Sequence, residues 1–158
     1  MSLKRILVGT AIGGAILGGW TYFRRLGRTS AQLQTVTRVS VFKINLKGLT
    51  LQVDVNIKNP SQAGFKIKFP FVKLGYKGQT IGTSQSVNQD ITVPAYGEAV
   101  ASKIMIVIPI MGLFSIGGGL IAAIQSGGAV NVEVTTITTI DLGIKKLPYQ
   151  KTETVTIK

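Results

Sequence analysis

The chain has no histidine and no cysteine among its 158 residues. Their absence removes Ser-His-Asp and Cys-His nucleophile systems, thiolate and imidazole zinc sites, and every disulfide. An anchor built on an acylated cysteine is excluded too. A chain without thiols suits either side of a membrane, so the redox compartment stays open. Acids are scarce: six Asp and Glu stand against 18 Lys and Arg, a net charge of +12. No two of the six (Asp54, Asp90, Glu98, Glu133, Asp141, Glu153) form a recognisable pair in sequence. Acid–base catalysis needs positioned titratable groups, so these acids read as solvated surface, with Asp141 and Glu153 placed near loops. The GxxxxGK[ST] phosphate loop is missing, and Gly117-Gly118-Gly119 reads as a flexible break. No enzyme activity, cofactor, metal or small-molecule substrate is expected.

What the chain does have is apolar content, at 45% of residues, and a single-signed excess of charge. Five basic residues (Lys4, Arg5, Arg24, Arg25, Arg28) fall in the first 30 positions, where no acid occurs. The other 13 share the rest of the chain with all six acids, a balance of +7. Such a surface is drawn to anionic lipid or nucleic acid, or it serves solubility alone.

Ile6 to Phe23 is an 18-residue run without charge, basic at both ends. As a helix it would span roughly 27 Å, close to the hydrocarbon thickness of a bilayer. Trp20, Tyr22 and Phe23 sit where an interfacial aromatic belt belongs. A cleaved signal peptide is the rival reading, but no small-x-small site follows the apolar stretch. Residues 1–30 are therefore expected to be a transmembrane helix with basic flanks, and residues 31–158 a separate domain. Gly9, Gly13, Gly14 and Gly18 repeat at four-residue spacing. Either this spacing lets the helix pack on itself or on another membrane helix, or it reflects how common glycine is in membrane helices. The extra arginine after the run tilts the domain toward the cytoplasmic side, or the interior of a virion.

Beyond about Gln34 the pattern becomes alternation. Leu49, Leu51, Val53, Val55 and Ile57 are apolar with polar residues between them, the signature of a half-buried strand. Asn59-Pro60 ends it, because proline cannot donate to the ladder and Asn-Pro favours a turn. Similar strands are predicted over Val36 to Ile44, Phe65 to Phe69, Phe71 to Tyr76 and, after Lys77-Gly78, Gln79 to Thr83. Further strands cover Val87 to Val93, Ala99 to Ile108, Val130 to Thr139 and Tyr149 to Ile157. Short strands with turns every 8 to 12 residues give an all-β fold, an antiparallel immunoglobulin-like β-sandwich of seven or eight strands. Ile104 to Ile124 has no charge and raises a second membrane span. Its β-branched start, Pro109 and the glycine triplet favour a strand, a turn and one short helix within Leu113 to Gln125. Lys66, Lys68, Lys73 and Lys77, joined by Lys43 and Lys58, would form a basic surface for anionic lipid or nucleic acid; the alternative is scattered solvated lysine.

Several segments together resemble the group 2 late embryogenesis abundant proteins, also called the water-stress and hypersensitive-response (WHy) domain. They are VDVNIKNP (Val53 to Pro60) with Ser61, VKLGYKGQTIG (Val72 to Gly82) and VNQDITVPAYG (Val87 to Gly97). The branched strand running into an apolar helix comes next, then Val130 to Thr139 and LGIKKLPYQK (Leu142 to Lys151). The resemblance runs from about Gln34 to Lys158. It implies a β-sandwich with one short helix, no catalytic centre, a structural role for Asn59 and Pro60, and association with desiccation and stress protection. Many plant relatives also carry an N-terminal membrane helix. The strong basicity and the glycine-rich anchor depart from the family pattern.

Three functions are compatible with these features. The first is a membrane-anchored structural or stress-protective protein, for instance in a bacterial inner membrane. The second is a structural protein of a membrane-containing virus or phage, its basic domain against capsid or genome and its helix in the internal membrane. The third is a tethered binding module for a partner protein.

Overall fold

The computed structural model describes residues 33–115 and 119–157. The expected anchor, with Gly9, Gly13, Gly14 and Gly18, lies outside the described residues. From Gln34 onward alternation governs the chain. Strands β1 (Gln34–Asn45), β2 (Gly48–Lys58) and β7 (Glu98–Pro109) form one antiparallel sheet with β2 at its centre. Along β2 every second residue from Leu49 to Ile57 is at most 1% exposed, while Thr50 to Asn56 between them are half-exposed. A period of two on a pleated strand sends one set inward and the other to solvent.

The second sheet is built on β8 (Val130–Asp141), which pairs along its full length with β9 (Lys146–Ile157). Its other edge receives two short strands in succession: β4 (Phe71–Tyr76) against Glu133 to Ile137 and β3 (Phe65–Lys68) against Ile140 and Asp141. Beyond them lie β5 (Gln79–Thr83) beside β4 and β6 (Asp90–Val93) beside β3. The described residues form nine strands, one for each of the nine segments predicted and more than the total of seven or eight. Phe69-Pro70 interrupts what would be one long row, because a proline nitrogen leaves a ladder position empty. Val87 to Gln89, expected in a strand, precede β6.

The inward residues of both sheets meet in one apolar core, including Leu51, Val53, Ile106, Ile67, Leu74, Val134 and Ile140. At the β1–β2 hairpin Gly48 has φ +143°, and a Cβ there would stand 2.1 Å from the Ile108 carbonyl oxygen. Only glycine permits that approach of two backbones. The β4–β5 turn is made by Lys77 (φ 48°) and Gly78 (φ 79°), both left-handed, as a two-residue hairpin with right-twisted strands requires.

Between β7 and β8 lie two short helices, α1 (Ile110–Ser115) and α2 (Gly119–Gln125). One helix within Leu113 to Gln125 was expected. The structure starts helix three residues earlier, directly after Pro109, whose fixed φ suits a helix entrance. Leu113 and Leu120 dock these helices on the core. No helix among the described residues is long and apolar enough to cross a membrane.

Candidate interaction surfaces

Lys66 and Lys73 point outward from β3 and β4 on the second sheet, and Lys68 is half-exposed on the same face. Acids are interleaved with them. The Lys68 Nζ lies 2.7 Å from Asp90 Oδ1, and Lys66 pairs in register with Asp141, which in turn faces Lys146. The hydrogen bond and charge of Lys68 hold the exposed Asp90 carboxyl below its usual range. Lys77 sits apart in its hairpin turn, its Nζ 5.3 Å from the centre of the Tyr76 ring. Lys43 and Lys58, expected to join this surface, belong to the first sheet, at opposite ends of its β1–β2 pair. The lysines thus divide between two sheets. Strand alternation gives a residue's face but not its neighbours, so the sequence could not show this separation.

The acids serve the framework. Asp54 accepts the backbone N–H of Lys103 at 2.8 Å and faces the Gln52 side-chain amide. Lys103 (φ 58°) occupies a bulge in β7 where the register slips between Val53 and Val55. Glu98 accepts from Asn56 Nδ2 at 3.1 Å, and Asp141 caps its turn by accepting from the Gly143 N–H at 2.9 Å. Glu153 lies within β9 rather than near a loop, and its side chain turns toward β1.

At the end where β1 begins, Asn59 is 2% exposed and fully engaged. Its amide donates to the carbonyls of Ala63 (2.9 Å) and Pro94 (3.0 Å), and its oxygen accepts from the Ser61 N–H (3.0 Å) and Ser61 hydroxyl (2.6 Å). Its backbone N–H reaches the Gly97 carbonyl at 2.8 Å, and Tyr96 N–H donates to Ser61 at 3.0 Å. Pro60 turns the chain out of β2 beside it. The Asn-Pro turn is thereby sewn to the β6–β7 turn, a link 35 residues away that the motif alone does not disclose.

A polar seam joins the two sheets where β1 approaches β9. The Thr35 and Tyr149 hydroxyls are 3.1 Å apart, Thr37 donates to Glu153 at 2.6 Å, and Lys151 bridges Glu153 (2.8 Å) and the Thr35 carbonyl (2.9 Å). Burial raises the Tyr149 hydroxyl above the usual tyrosine range, against the lowering hydrogen bond from Thr35. Inward-pointing charges on edge strands oppose pairing with another chain.

Chemically these arrangements brace the fold. No group of three potential metal ligands occurs among the described residues. A surface cleft of about 470 Å³ runs between Lys66, Thr92 and the Asp141–Gly143 turn, and another of about 380 Å³ lies beside Asn59 and Tyr96.

No known protein family matches the sequence, and no curated protein does. Solved structures do resemble the fold. A protein from Archaeoglobus fulgidus superposes with a TM-score of 0.54 at 10% identity, over 79% of this chain and 95% of that one. A solution structure from Arabidopsis thaliana gives 0.53 at 18% identity, over 80% and 81% of the two chains. A candidate late embryogenesis abundant (LEA) protein overlaps 92% of this chain and 83% of its own at 10% identity, but its TM-score of 0.33 supports no inference. At such identities the likeness is one of fold alone.

Proposed function

We propose that this chain is a non-enzymatic, membrane-tethered β-sandwich of immunoglobulin-like layout with a structural or protective role of the late embryogenesis abundant, WHy-domain type. The observation that carries the reading is a contrast within the chain. Ile6 to Phe23 has no charge at all, whereas the strands beyond it alternate so regularly that polar residues cover the sheets. The first composition belongs in lipid and the second in water. The resemblance of the segments between Val53 and Lys151 supports the family reading, and the archaeal and plant structures support the β fold alone. The acids support a framework role, since Asp54, Glu98, Asp141 and Glu153 hold a bulge, a strand pair, a turn and a seam.

The test is protection on drying. Vesicles carrying the full chain, dried and rehydrated, are expected to keep an encapsulated dye better than protein-free vesicles. Equal leakage would remove the protective role. The net charge of +12 favours a second reading, a particle protein whose basic domain meets capsid or genome. That reading requires the chain to co-sediment with particles in fixed stoichiometry, and its absence from them would dismiss it.

A further inference from the structure

The end of the molecule opposite Gln34 carries large apolar side chains that the core does not use. In the β1–β2 hairpin Phe42 is 59% exposed and Leu46 93%; on α1 Met111 is 75% and Phe114 70% exposed. The two elements adjoin. Gly48 pairs with Pro109, and the Ile110 N–H donates to the Lys47 carbonyl at 3.2 Å. Met111 and Phe114 are three residues apart and so share a helix face, while Leu113 is buried and fixes α1 to the core. Scattered exposed apolar residues are ordinary, but four large ones on two adjoining elements at one end are not.

The charge on these two elements has one sign. From Ile104 to Val132 there is no charged residue, and the hairpin contributes only Lys43 and Lys47, both exposed. Exposed apolar side chains beside ammonium groups match the boundary of an anionic bilayer: the side chains enter the acyl edge while the lysines reach lipid phosphates.

We propose that this end is a membrane-contact tip whose occupant is an anionic bilayer facing the one that holds Ile6 to Phe23. The proposal rests on the anchor reading of those residues. The 12 residues of β1 place the tip roughly 36 Å from Gln34. The ten residues from Arg24 to Leu33 reach at most about 33–36 Å. For a domain standing upright on its anchor, contact of the tip with the anchoring bilayer would need the full reach of those ten residues, whereas contact with a facing bilayer needs none of it. The chain then bridges two membranes.

The experiment reconstitutes the full chain in phosphatidylcholine vesicles and adds labelled vesicles containing phosphatidylserine. Capture of the labelled vesicles is expected. It should fall about tenfold with L46S/F114S and severalfold with K43Q/K47Q or on raising salt. Met111→Ser gives an independent loss, and unchanged β-type circular dichroism separates lost contact from lost fold. Capture that ignores these substitutions, or no capture, overturns the proposal. Clustering of the protein-bearing vesicles among themselves, without phosphatidylserine, would assign the tip to a second copy of the chain and likewise overturn it. Alkaline-carbonate washing of the reconstituted vesicles tests the anchor separately. If the chain washes off, the bridge fails, and direct sedimentation of the same variants with phosphatidylserine vesicles decides whether the tip still binds lipid.

Discussion

Asn59 spends both amide hydrogens and both oxygen lone pairs inside the loop cluster. Asn59→Ala leaves the Ser61 N–H without its partner in a closed site and takes one of two donors from each of the Ala63 and Pro94 carbonyls, which keep the Ser61 hydroxyl and the Gly97 N–H. A loss of about 3 kcal/mol is expected in denaturant unfolding. Asn59→Asp keeps the size but turns an acceptor toward two carbonyls, so it should be worse at neutral pH than in acid, where the protonated group can donate. Tyr149 gives a second residue-scale prediction. Its hydroxyl is raised in the folded chain, so the stability it contributes is complete below the unfolded value near ~10 and is lost as pH climbs through the folded value. The thermal midpoint of the wild-type chain should therefore fall more steeply above about pH 10 than that of Tyr149→Phe. At neutral pH the same variant should lose about 1 kcal/mol with the Thr35 hydrogen bond.

Among the elements, β2 was legible because apolar and polar residues alternate without exception along a strand with one wet face, whereas β8 alternates cleanly only as far as Val134, after which Thr136 and Thr138 take inward positions. Where a strand departs from that pattern, legibility fails. Lys103 stands in a left-handed bulge with nothing in sequence to mark it, since such positions usually announce themselves with glycine. Lys103→Gly should stabilise the chain by up to about 1 kcal/mol, while Asp54→Ala, which frees the Lys103 N–H, should cost about 1–2 kcal/mol. Thermal melts of the two variants shift in opposite directions if the bulge is clamped as described. Lys151 and Glu153 were equally hidden, because charged residues facing inward look like surface until the neighbouring edge is known. Pairing of β3 and β4 along one edge of β8 also needed coordinates, as did the meeting of the hairpin that carries Leu46 with the helix that carries Phe114, through Lys47 and Ile110. In the sequence both of those side chains look like core residues.

In the proposed reading one chain meets two solvents, lipid around Ile6 to Phe23 and water around the β domain. A core shared by two sheets accounts for residues 33–115 and 119–157 without help from lipid. The uncharged stretch that raised a second span contributes instead β7, α1 and α2, with Ile106, Ile108, Leu113 and Leu120 buried. Charge divides in the same way: the basic excess of the described domain is spread over both sheets and partly answered by Asp90 and Asp141. Function is then a matter of where the domain is held and what its ends touch. The most direct measurement extracts membranes of cells making the full chain, or the chain lacking residues 1–30, with alkaline carbonate. The full chain should stay in the pellet and the shortened one should enter the supernatant with a β-type circular dichroism spectrum. A shortened chain that remains in the pellet, or gives a helical spectrum, would contradict the account.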